Sequence, residues 1–320
     1  MTKNTSVRFA RLSWLPIVLV GAFALPTLRA QSPSGLQGVI DIHAHSDPDT
    51  QARRYDALAL AKEAKAQGMR GVVLKTHDAP TAQLAYLVNQ LVPGFQAFGA
   101  IALNRAVGGI NPVAVEAQAK VKGSFLKVVF MPTTDAESEQ ARTTNKPYVS
   151  VAKNGALLPE TVEVLKLIAK YDLVLATGHS QPADAILLTS EAAKLGVKHV
   201  VVTHPATTGT SLAQMQEEAK NGAYLEFTGN PVIPGNQNGS ATVIPNAPGR
   251  KPEEWAADFK AIGPQHIILS GDLGGTAYPP FVEGWKLYIA ALKGAGVSDA
   301  DIHLMSVENP ARLLGLDAAK

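Results

Sequence analysis

Side chains that can bind a metal ion recur where short apolar segments of this sequence end. Five of the eight histidines stand at or near such ends, and an aspartate closes a further segment of this kind. These residues are His43, His45, His77, His179, His204 and Asp272. Neutral imidazoles and carboxylates are the nitrogen and oxygen ligands that divalent transition metals take in proteins. The pattern therefore predicts a metal site that several segments build together.

His43 and His45 form the most informative pair. Residues two apart in a β-strand point to the same face, so both imidazoles can hold one ion. A lone strand histidine is more often a core residue, but here the pair is accompanied by three further segment-end histidines and an aspartate. The chain has no cysteine, so zinc is the default prediction, and manganese, iron, cobalt and nickel stay open.

Two lysines stand in unusual places. Lys127 lies inside the apolar segment Phe125-Leu126-Lys127-Val128-Val129-Phe130, and Lys75 lies two residues before His77. A buried ammonium group is unfavourable unless its charge is used or removed. The simpler alternative for Lys127 is a strand-edge lysine that reaches solvent or pairs with an acid. We predict that one of the two lysines is a modified metal ligand and that the other binds a substrate carboxylate or phosphate.

Apolar, β-branched segments alternate with helical segments from Gln37 onward. The predicted strands are 38–45, 71–77, 97–104, 125–132, 173–179, 199–204, 223–228 and 266–272. The predicted helices are 56–67, 81–91, 112–119, 159–171, 181–195, 211–221, 252–262, 281–295 and 310–316. Eight strand–helix units predict an α/β fold, a closed (β/α)8 TIM barrel.

An open doubly wound sheet is the alternative fold, but its first strand would be followed by a glycine-rich phosphate loop. This chain has His-Ala-His there instead. In a barrel, the segment-end histidines share the face that carries active sites. The long loops 133–158 and 229–251 would leave the same face as lids or substrate walls. His199, His266 and His303 are predicted to be structural.

The composition narrows the class of protein. The chain has 320 residues, of which 46% are hydrophobic and 18% charged, which is enough for a large buried core. The formal net charge is +2 and no basic run is present, so no nucleic-acid partner is predicted. The lack of cysteine excludes disulfides, a thiol nucleophile, zinc–thiolate sites and iron–sulfur clusters. A small-molecule substrate is predicted, and homo-oligomerisation stays open.

Residues 1–30 have the features of a secretory signal peptide. Three basic residues precede a short apolar stretch, no acid is present, and the small residue Ala30 stands before Gln31. Cleavage there would leave residues 31–320 as a single barrel domain, periplasmic or secreted and not held by a membrane. An uncleaved membrane anchor is the alternative, although two prolines interrupt the apolar stretch.

The chain resembles the amidohydrolase superfamily of metal-dependent hydrolases from about Val39 to Leu316. The motifs that carry the resemblance are Asp41-Ile42-His43-Ala44-His45, Ala176-Thr177-Gly178-His179, Val202-Thr203-His204-Pro205, Leu269-Ser270-Gly271-Asp272 and the closing segment Glu308–Leu316. Phe125-Leu126-Lys127-Val128 is similar to the fourth strand of phosphotriesterase-like members. The segment Gly68–His77 looks instead like an uncharacterised amidohydrolase-related family.

The resemblance implies a ligand set. His43, His45 and Asp272 would hold one divalent ion, and His179 and His204 would hold a second. A carboxylated Lys127 would bridge the two ions together with a hydroxide. Asp272 would also be the catalytic residue, because it can take the proton of the hydroxide and pass it to the leaving group.

The leading function is that of an exported metal-dependent hydrolase that uses a metal-activated hydroxide on a carboxylic amide, ester or lactone. The candidate substrate-binding residues are His77, Lys75, Asn104 and Tyr278. A deaminase or decarboxylase with one metal ion is the first alternative, although no glutamate closely follows His179 or His204. A non-catalytic exported metal- or solute-binding barrel is the second.

Overall fold

The structure is a computed structural model that describes residues 1–2, 35–137, 145, 147–233 and 251–316. The chain divides into two units, Met1–Ser32 and Pro33–Lys320, and the second contains every strand and helix of the fold. The predicted signal peptide lies outside the described residues apart from its first two positions. None of the helices in the described part of the chain combines the length and the apolar character that crossing a membrane requires.

Eight parallel strands follow one another around a single sheet in the order β1-β2-β3-β4-β7-β8-β9-β10. They are β1 Ile40–His45, β2 Gly71–Lys75, β3 Gln96–Ala102, β4 Leu126–Phe130, β7 Val174–Ala176, β8 His199–Val202, β9 Tyr224–Thr228 and β10 Ile267–Ser270. A separate antiparallel hairpin consists of β5 Ala152–Lys153 and β6 Ala156–Leu157. This hairpin lies in the segment predicted as a long loop after the fourth barrel strand.

Helices alternate with the strands. They are α1 Ala57–Ala66, α2 Ala82–Leu91, α3 Pro112–Ala119, α4 Pro159–Lys170, α5 Pro182–Lys194, α6 Pro205–Thr208, α7 Leu212–Lys220, α8 Pro252–Ile262, α9 Phe281–Gly294, α10 Asp299–His303 and α11 Asn309–Leu313. A π-helical segment, Leu304–Glu308, joins the last two. Proline in the first turn favours several of these helix starts, because the missing N–H would have no partner there.

Backbone hydrogen bonds join the first and last strand segments and close the barrel. The Asp272 amide donates to the His43 carbonyl at 2.9 Å, and the His45 amide donates to the Leu273 carbonyl at 2.8 Å. The predicted (β/α)8 barrel is therefore confirmed. The closing bonds also set two candidate metal-binding segments side by side.

The core has two layers, which explains why the strands are apolar on both faces. One layer fills the barrel interior and includes Ile40, Val73 and Phe130. The larger layer lies between strands and helices and includes Trp255 and Trp285, both fully buried. Because apolar side chains fill the interior of the barrel, reactive side chains can meet a substrate only at the strand ends, where polar side chains reach the mouth.

The barrel strands are shorter at their carboxyl ends than predicted. β2, β7 and β8 end two or three residues before His77, His179 and His204. These histidines therefore stand on the loops that leave the barrel. Of the long segment 229–251, the structure describes positions only up to 233 and from 251, so its predicted role as a lid lies outside the described residues.

Candidate metal centre

The five segment-end histidines form a closed ring of imidazoles at the carboxyl-terminal mouth of the barrel. Ring centroids are 5.3 Å apart for His43 and His45, and 5.1 Å apart for His45 and His77. The circuit continues at 6.4 Å from His77 to His179, 5.0 Å from His179 to His204, and 5.9 Å from His204 back to His43. The prediction that these side chains meet at one end of a barrel agrees with their placement here.

Three side chains within this ring converge at a spacing that could hold a metal ion. Asp272 Oδ1 lies 3.2 Å from His43 Nε2 and 3.1 Å from His45 Nε2. One ligand atom from each of these three residues falls within 4.8 Å of the other two. Among the described residues this is the group of three whose spacing suits one ion.

Glu226 on β9 fixes the orientation of His43. Its Oε1 lies 2.9 Å from His43 Nδ1 and also accepts a 2.6 Å hydrogen bond from the Ser270 hydroxyl. Burial alone would raise the pKa of Glu226, but the His43 charge and these hydrogen bonds leave it lowered. The carboxylate therefore accepts the Nδ1 proton, and Nε2 turns a lone pair towards the other ligands. Sequence reasoning missed Glu226, although an acid inside an apolar strand was a visible signal.

Asp41 ties the first and last barrel segments together beneath the ligands. Its Oδ1 accepts from the backbone amides of His43 at 2.8 Å and Gly271 at 3.1 Å. Its Oδ2 accepts from the indole nitrogen of Trp285 at 2.8 Å. Burial raises the pKa of Asp41 to about 6, even though these donors lower it. Asp41 thus positions His43 and the segment that carries Asp272 without facing the mouth.

A hydrogen bond to the second carboxylate oxygen of Asp272, Oδ2, fixes the orientation of its side chain. Asn230 Nδ2 donates to Asp272 Oδ2 at 2.8 Å, and Thr228 Oγ1 fixes the Asn230 amide through a 2.9 Å bond. Asn230 also hydrogen-bonds the Tyr278 hydroxyl. Burial would raise the pKa of Asp272, but His43 and His45 hold it well below its usual range. The side chain is 19% exposed, so this ionised carboxylate can be reached from the mouth.

The backbone is strained at two of the predicted ligands. His204 has φ 30° and Asp272 has φ 48°, in the left-handed region that side chains other than glycine rarely adopt. Such strain persists where the surrounding structure requires a particular side-chain direction, often at functional sites. Gly178 has φ 62°, and a Cβ there would lie 2.3 Å from the Met131 carbonyl oxygen. Glycine is therefore needed at the turn that delivers His179.

Burial keeps the imidazoles of His45 and His204 neutral at pH 7. Burial lowers the pKa of His45 to about 3, helped by the charges of Lys75 and Arg53. Burial also lowers the pKa of His204 to about 3. A neutral imidazole keeps the lone pair that a metal ion requires.

Lys75 enters the centre from β2. Its side chain is 1% exposed, its Nζ lies 2.8 Å from His43 Nε2, and it stands 4.7 Å from the Phe130 ring centroid. A lysine N–H in this position takes the same His43 lone pair that a metal would use. An ion at this centre must therefore displace the Lys75 ammonium or meet it in another chemical form.

Lys127 does not reach the centre, and its prediction as a bridging ligand is wrong. It is the second residue of β4, at the amino-terminal end of the barrel, and its Nζ donates to the Asp172 carbonyl at 3.0 Å. His199, the first residue of β8, lies at the same end, 3.7 Å from the Asp172 carboxylate. Lys127 is half-buried and reaches a partner at the rim, which is the simpler alternative for an apolar-strand lysine.

Asn104 is close to the centre but cannot bind a substrate, so that prediction is also wrong. Its side chain is fully buried, and both of its amide atoms are engaged within the protein. Nδ2 donates to the His77 carbonyl at 2.9 Å and to Thr133 Oγ1 at 2.7 Å, while Oδ1 accepts from two backbone amides. Asn104 supports His77, which is half-buried at the mouth.

The donor set fits a divalent ion. Imidazole nitrogens of His43 and His45 and a carboxylate oxygen of Asp272 converge without a thiolate, which is the ligand type of a catalytic zinc site with an open position. The hydrogen bond from His43 to Glu226 completes the outer support that such sites carry.

A sequence profile of one protein family matches residues 38–226, which is more than half of the chain. That family is described as a family of unknown function, DUF6282. The chain belongs to this family. The resemblance of segment Gly68–His77 to an uncharacterised family is thereby confirmed, and the matched region contains every candidate ligand except Asp272.

Solved structures with the same fold extend over nearly the whole chain. The organophosphorus hydrolase of Deinococcus radiodurans is 16% identical, with a TM-score of 0.55, covering 88% of this chain and 94% of that one. The probable dipeptidase PvdM of Pseudomonas aeruginosa is 13% identical, with a TM-score of 0.59, covering 88% and 96%. At such identities the likeness establishes the barrel fold. No curated protein matches the sequence.

Proposed function

We propose that this DUF6282 protein is a metal-dependent hydrolase of a small molecule. The observation that carries the proposal is the convergence of His43 Nε2, His45 Nε2 and Asp272 Oδ1 at the carboxyl-terminal mouth of the barrel. Active sites of this fold lie at that end. The structural neighbours support the reaction class, because they are described as an organophosphorus hydrolase and a probable dipeptidase.

The substrate we propose is a carboxylic amide, ester or lactone. One neighbour is an organophosphate-hydrolysing protein engineered from a weak promiscuous lactonase template, 16% identical with a TM-score of 0.54. Hydrolysis of any of these bonds leaves a carboxylate product. A divalent ion bound here would act as a Lewis acid and would lower the pKa of a bound water towards 7.

Side chains of the protein transfer the proton of the attacking water to the leaving group. Asp272 is ionised and partly exposed, so its carboxylate accepts the proton of the attacking water and donates it to the leaving group. Asn230 holds Asp272 Oδ2 and so keeps Oδ1 turned to the ligands. Glu226 keeps His43 in the tautomer that presents Nε2.

A second ion would be held by His179 and His204, whose ring centroids lie 5.0 Å apart. With Lys127 at the opposite end of the barrel, Lys75 is the lysine available as an anionic bridge. Its neutral amine would attack carbon dioxide, form a carbon–nitrogen bond and lose a proton to solvent. The product is a carbamate, which replaces a cation by an anion beside His43 and so favours binding of two dications.

The test is metal analysis of purified residues 31–320, followed by assays on panels of lactones, esters and amides. We expect about two divalent ions per chain and hydrolysis of at least one panel. Asp272→Asn should lower kcat by about 10²- to 10⁴-fold, because the proton acceptor is lost. One ion with no hydrolysis would favour a deaminase or decarboxylase. No bound ion after reconstitution with zinc or manganese would leave a binding protein as the better account.

We also propose that the enzyme is exported after removal of residues 1–30. The support is the charge and hydropathy pattern of these residues together with the absence of cysteine. Amino-terminal sequencing of the protein recovered from a bacterial periplasm should begin at Gln31. Recovery of the intact chain from the membrane fraction would contradict the proposal.

A further inference from the structure

Nδ1 of His77 faces the Thr133 hydroxyl, whereas Nδ1 of His43 faces the Glu226 carboxylate. We propose that the Nε2–H of His77 donates a hydrogen bond to the acyl oxygen of the substrate, and that Asn104 and Thr133 set the tautomer that makes this possible. The inference rests on the proposed hydrolase function for the nature of the acceptor. The tautomer itself follows from the hydrogen-bond network alone.

The network begins at Asn104, whose side-chain orientation is fixed. Asn104 Oδ1 accepts from the backbone amides of Thr133 at 2.7 Å and Asp135 at 3.3 Å. A flipped side chain would place an NH2 group against these two donors. Nδ2 must therefore face Thr133 Oγ1, at 2.7 Å, and the His77 carbonyl oxygen, at 2.9 Å.

The orientation of Asn104 determines where the Thr133 hydroxyl proton points, and that proton determines the tautomer of His77. The hydroxyl is fully buried and accepts a hydrogen bond from Asn104, so its own proton needs an acceptor. Among the contacts of the described residues, that acceptor is His77 Nδ1 at 2.9 Å. Nδ1 therefore carries no proton. An imidazole whose Nδ1 accepts a hydrogen bond has its single ring proton on Nε2.

His43 has the opposite tautomer. Its Nδ1 faces the Glu226 carboxylate, which is an acceptor, so Nδ1 keeps the proton and Nε2 offers a lone pair. A threonine hydroxyl behind His77 and a carboxylate behind His43 thus give the two rings different chemistry. His43 suits a metal ion, whereas His77 presents an N–H donor.

The position of His77 suits contact with a substrate. The ring lies between His45 and His179, at centroid distances of 5.1 and 6.4 Å, and the residue is half-buried at the mouth. It falls outside the group of three that can share one ion. A neutral N–H donor held beside such a group is placed to stabilise negative charge that develops on an acyl oxygen during hydrolysis.

The first experiment reads the tautomer without any substrate. Nitrogen-15 NMR of histidine-labelled protein distinguishes protonated from unprotonated ring nitrogens, and His77→Gln assigns the resonance. We expect Nε2–H in the wild type and in Thr133→Ser, and a mixture of tautomers in Thr133→Val, which keeps the side-chain shape but lacks the hydroxyl. Protonation of Nδ1 in the wild type, or an unchanged tautomer in Thr133→Val, would overturn the proposal.

The second experiment separates a donor from a ligand. Metal content of the zinc-loaded protein should be unchanged in His77→Ala and reduced in His45→Ala. Loss of an equivalent of zinc in His77→Ala would show that His77 is a ligand and would refute the proposal. Neither this result nor the tautomer depends on finding a substrate, so failure of the hydrolase assays remains a separate outcome.

The third experiment tests the acceptor with acetate, which carries the carboxylate that the proposed hydrolysis produces. Acetate should shift the His77 Nε2 resonance in the zinc-loaded wild type and bind at least tenfold more weakly to His77→Ala, because a hydrogen bond to a charged oxygen is lost. Equal binding of acetate to both proteins would overturn the substrate contact. With a hydrolysed substrate in hand, His77→Ala should lower kcat more than it raises KM.

Discussion

Lys75 and Lys127 show how the place of a residue within a strand decides its chemistry. Each lies in an apolar, β-branched segment, so the sequence pattern makes both equally unusual. Lys75 is the last residue of β2 and reaches the mouth, whereas Lys127 is the second residue of β4 and reaches the opposite rim. Sequence reasoning places the ends of a strand only to within a few residues. Because β2 and β4 have five residues each, a shift of that size moves a side chain from one end of the barrel to the other.

The two lysines give the first prediction. Lys75→Met should lower the metal content of protein prepared with bicarbonate to about one ion per chain, because the anionic bridge is lost. It should also remove the carbamate signal seen by NMR after labelling with carbon-13 bicarbonate. Lys127→Met is the matched control and should keep both the metal and the signal. A carbamate that survives in Lys75→Met would contradict the assignment.

Glu226 gives the second prediction. Glu226→Gln keeps an oxygen that can accept from His43 Nδ1 but removes the charge that makes His43 a stronger ligand. We expect a 10- to 100-fold weaker affinity for zinc, as for other outer-shell partners of metal ligands. Competition with a fluorescent chelator measures it. Glu218→Gln, at a buried acid on the outer helix α7, is the control and should leave zinc affinity unchanged.

At the scale of elements, the eight helices predicted between positions 56 and 295 match the structure to within one residue at each end, because their apolar spacing and their flanking glycine, proline and asparagine residues agree. The closing helix ends at Leu313, three residues before its predicted end, and the short helices α6 and α10 were not predicted. The hairpin β5–β6 and the π-helical segment 304–308 could not be predicted. Strands of two residues carry too few positions for a periodic signal, and a π-helical turn depends on packing against its neighbours. Glu226 and Asp41 were missed for a related reason, since their partners come from other elements of the barrel.

Helix α7 carries the third prediction through Glu218. Its carboxyl group is fully buried, its two oxygens have no hydrogen-bond partner, and burial raises its pKa to about 8. Between pH 4.5 and 8 the folded protein keeps a proton there that the unfolded chain releases. This group therefore makes the folded protein less stable as pH rises through that window.

Glu218→Gln removes that dependence. Relative to the wild type, the variant should gain roughly 4 kcal/mol in free energy of unfolding from pH 5 to pH 8, at about 1.4 kcal/mol for each pH unit. Urea unfolding at both pH values measures the difference. Glu253→Gln, at an exposed position on α8, is the control. A pH-independent difference between Glu218→Gln and the wild type would show that Glu218 is ionised in the folded state.

At the scale of the whole molecule, the barrel followed from counting strand–helix alternation, a signal that survives errors in each boundary. The centre depended on the barrel being closed. His43 and His45 belong to the first strand, and Asp272 follows the last one. Closure makes the first and last strands neighbours, which agrees with the group of three ligands that the family resemblance implied. The orientation of each side chain needed the structure.

Removal of metal gives the fourth prediction. An ion that binds the folded protein and not the unfolded chain adds about 2.7 kcal/mol of stability at a hundredfold excess over its Kd. For a domain of this size we expect a strong chelator to lower Tm by roughly 5 °C. Differential scanning calorimetry with and without zinc measures the shift. His45→Ala should lose most of it, and an equal shift in that variant would place the stabilising ion elsewhere.

The backbone bonds that close the barrel also determine when the centre can form. His45 and Asp272 are 227 positions apart along the chain. Contacts with so large a sequence separation form late in folding, because closing the intervening loop is entropically unfavourable. A nascent chain has no complete ligand group until its last strand has been synthesised and has joined the first. Binding of a metal ion at this centre would therefore follow closure of the barrel, and we expect a chain truncated before Asp272 to fail to retain the ion.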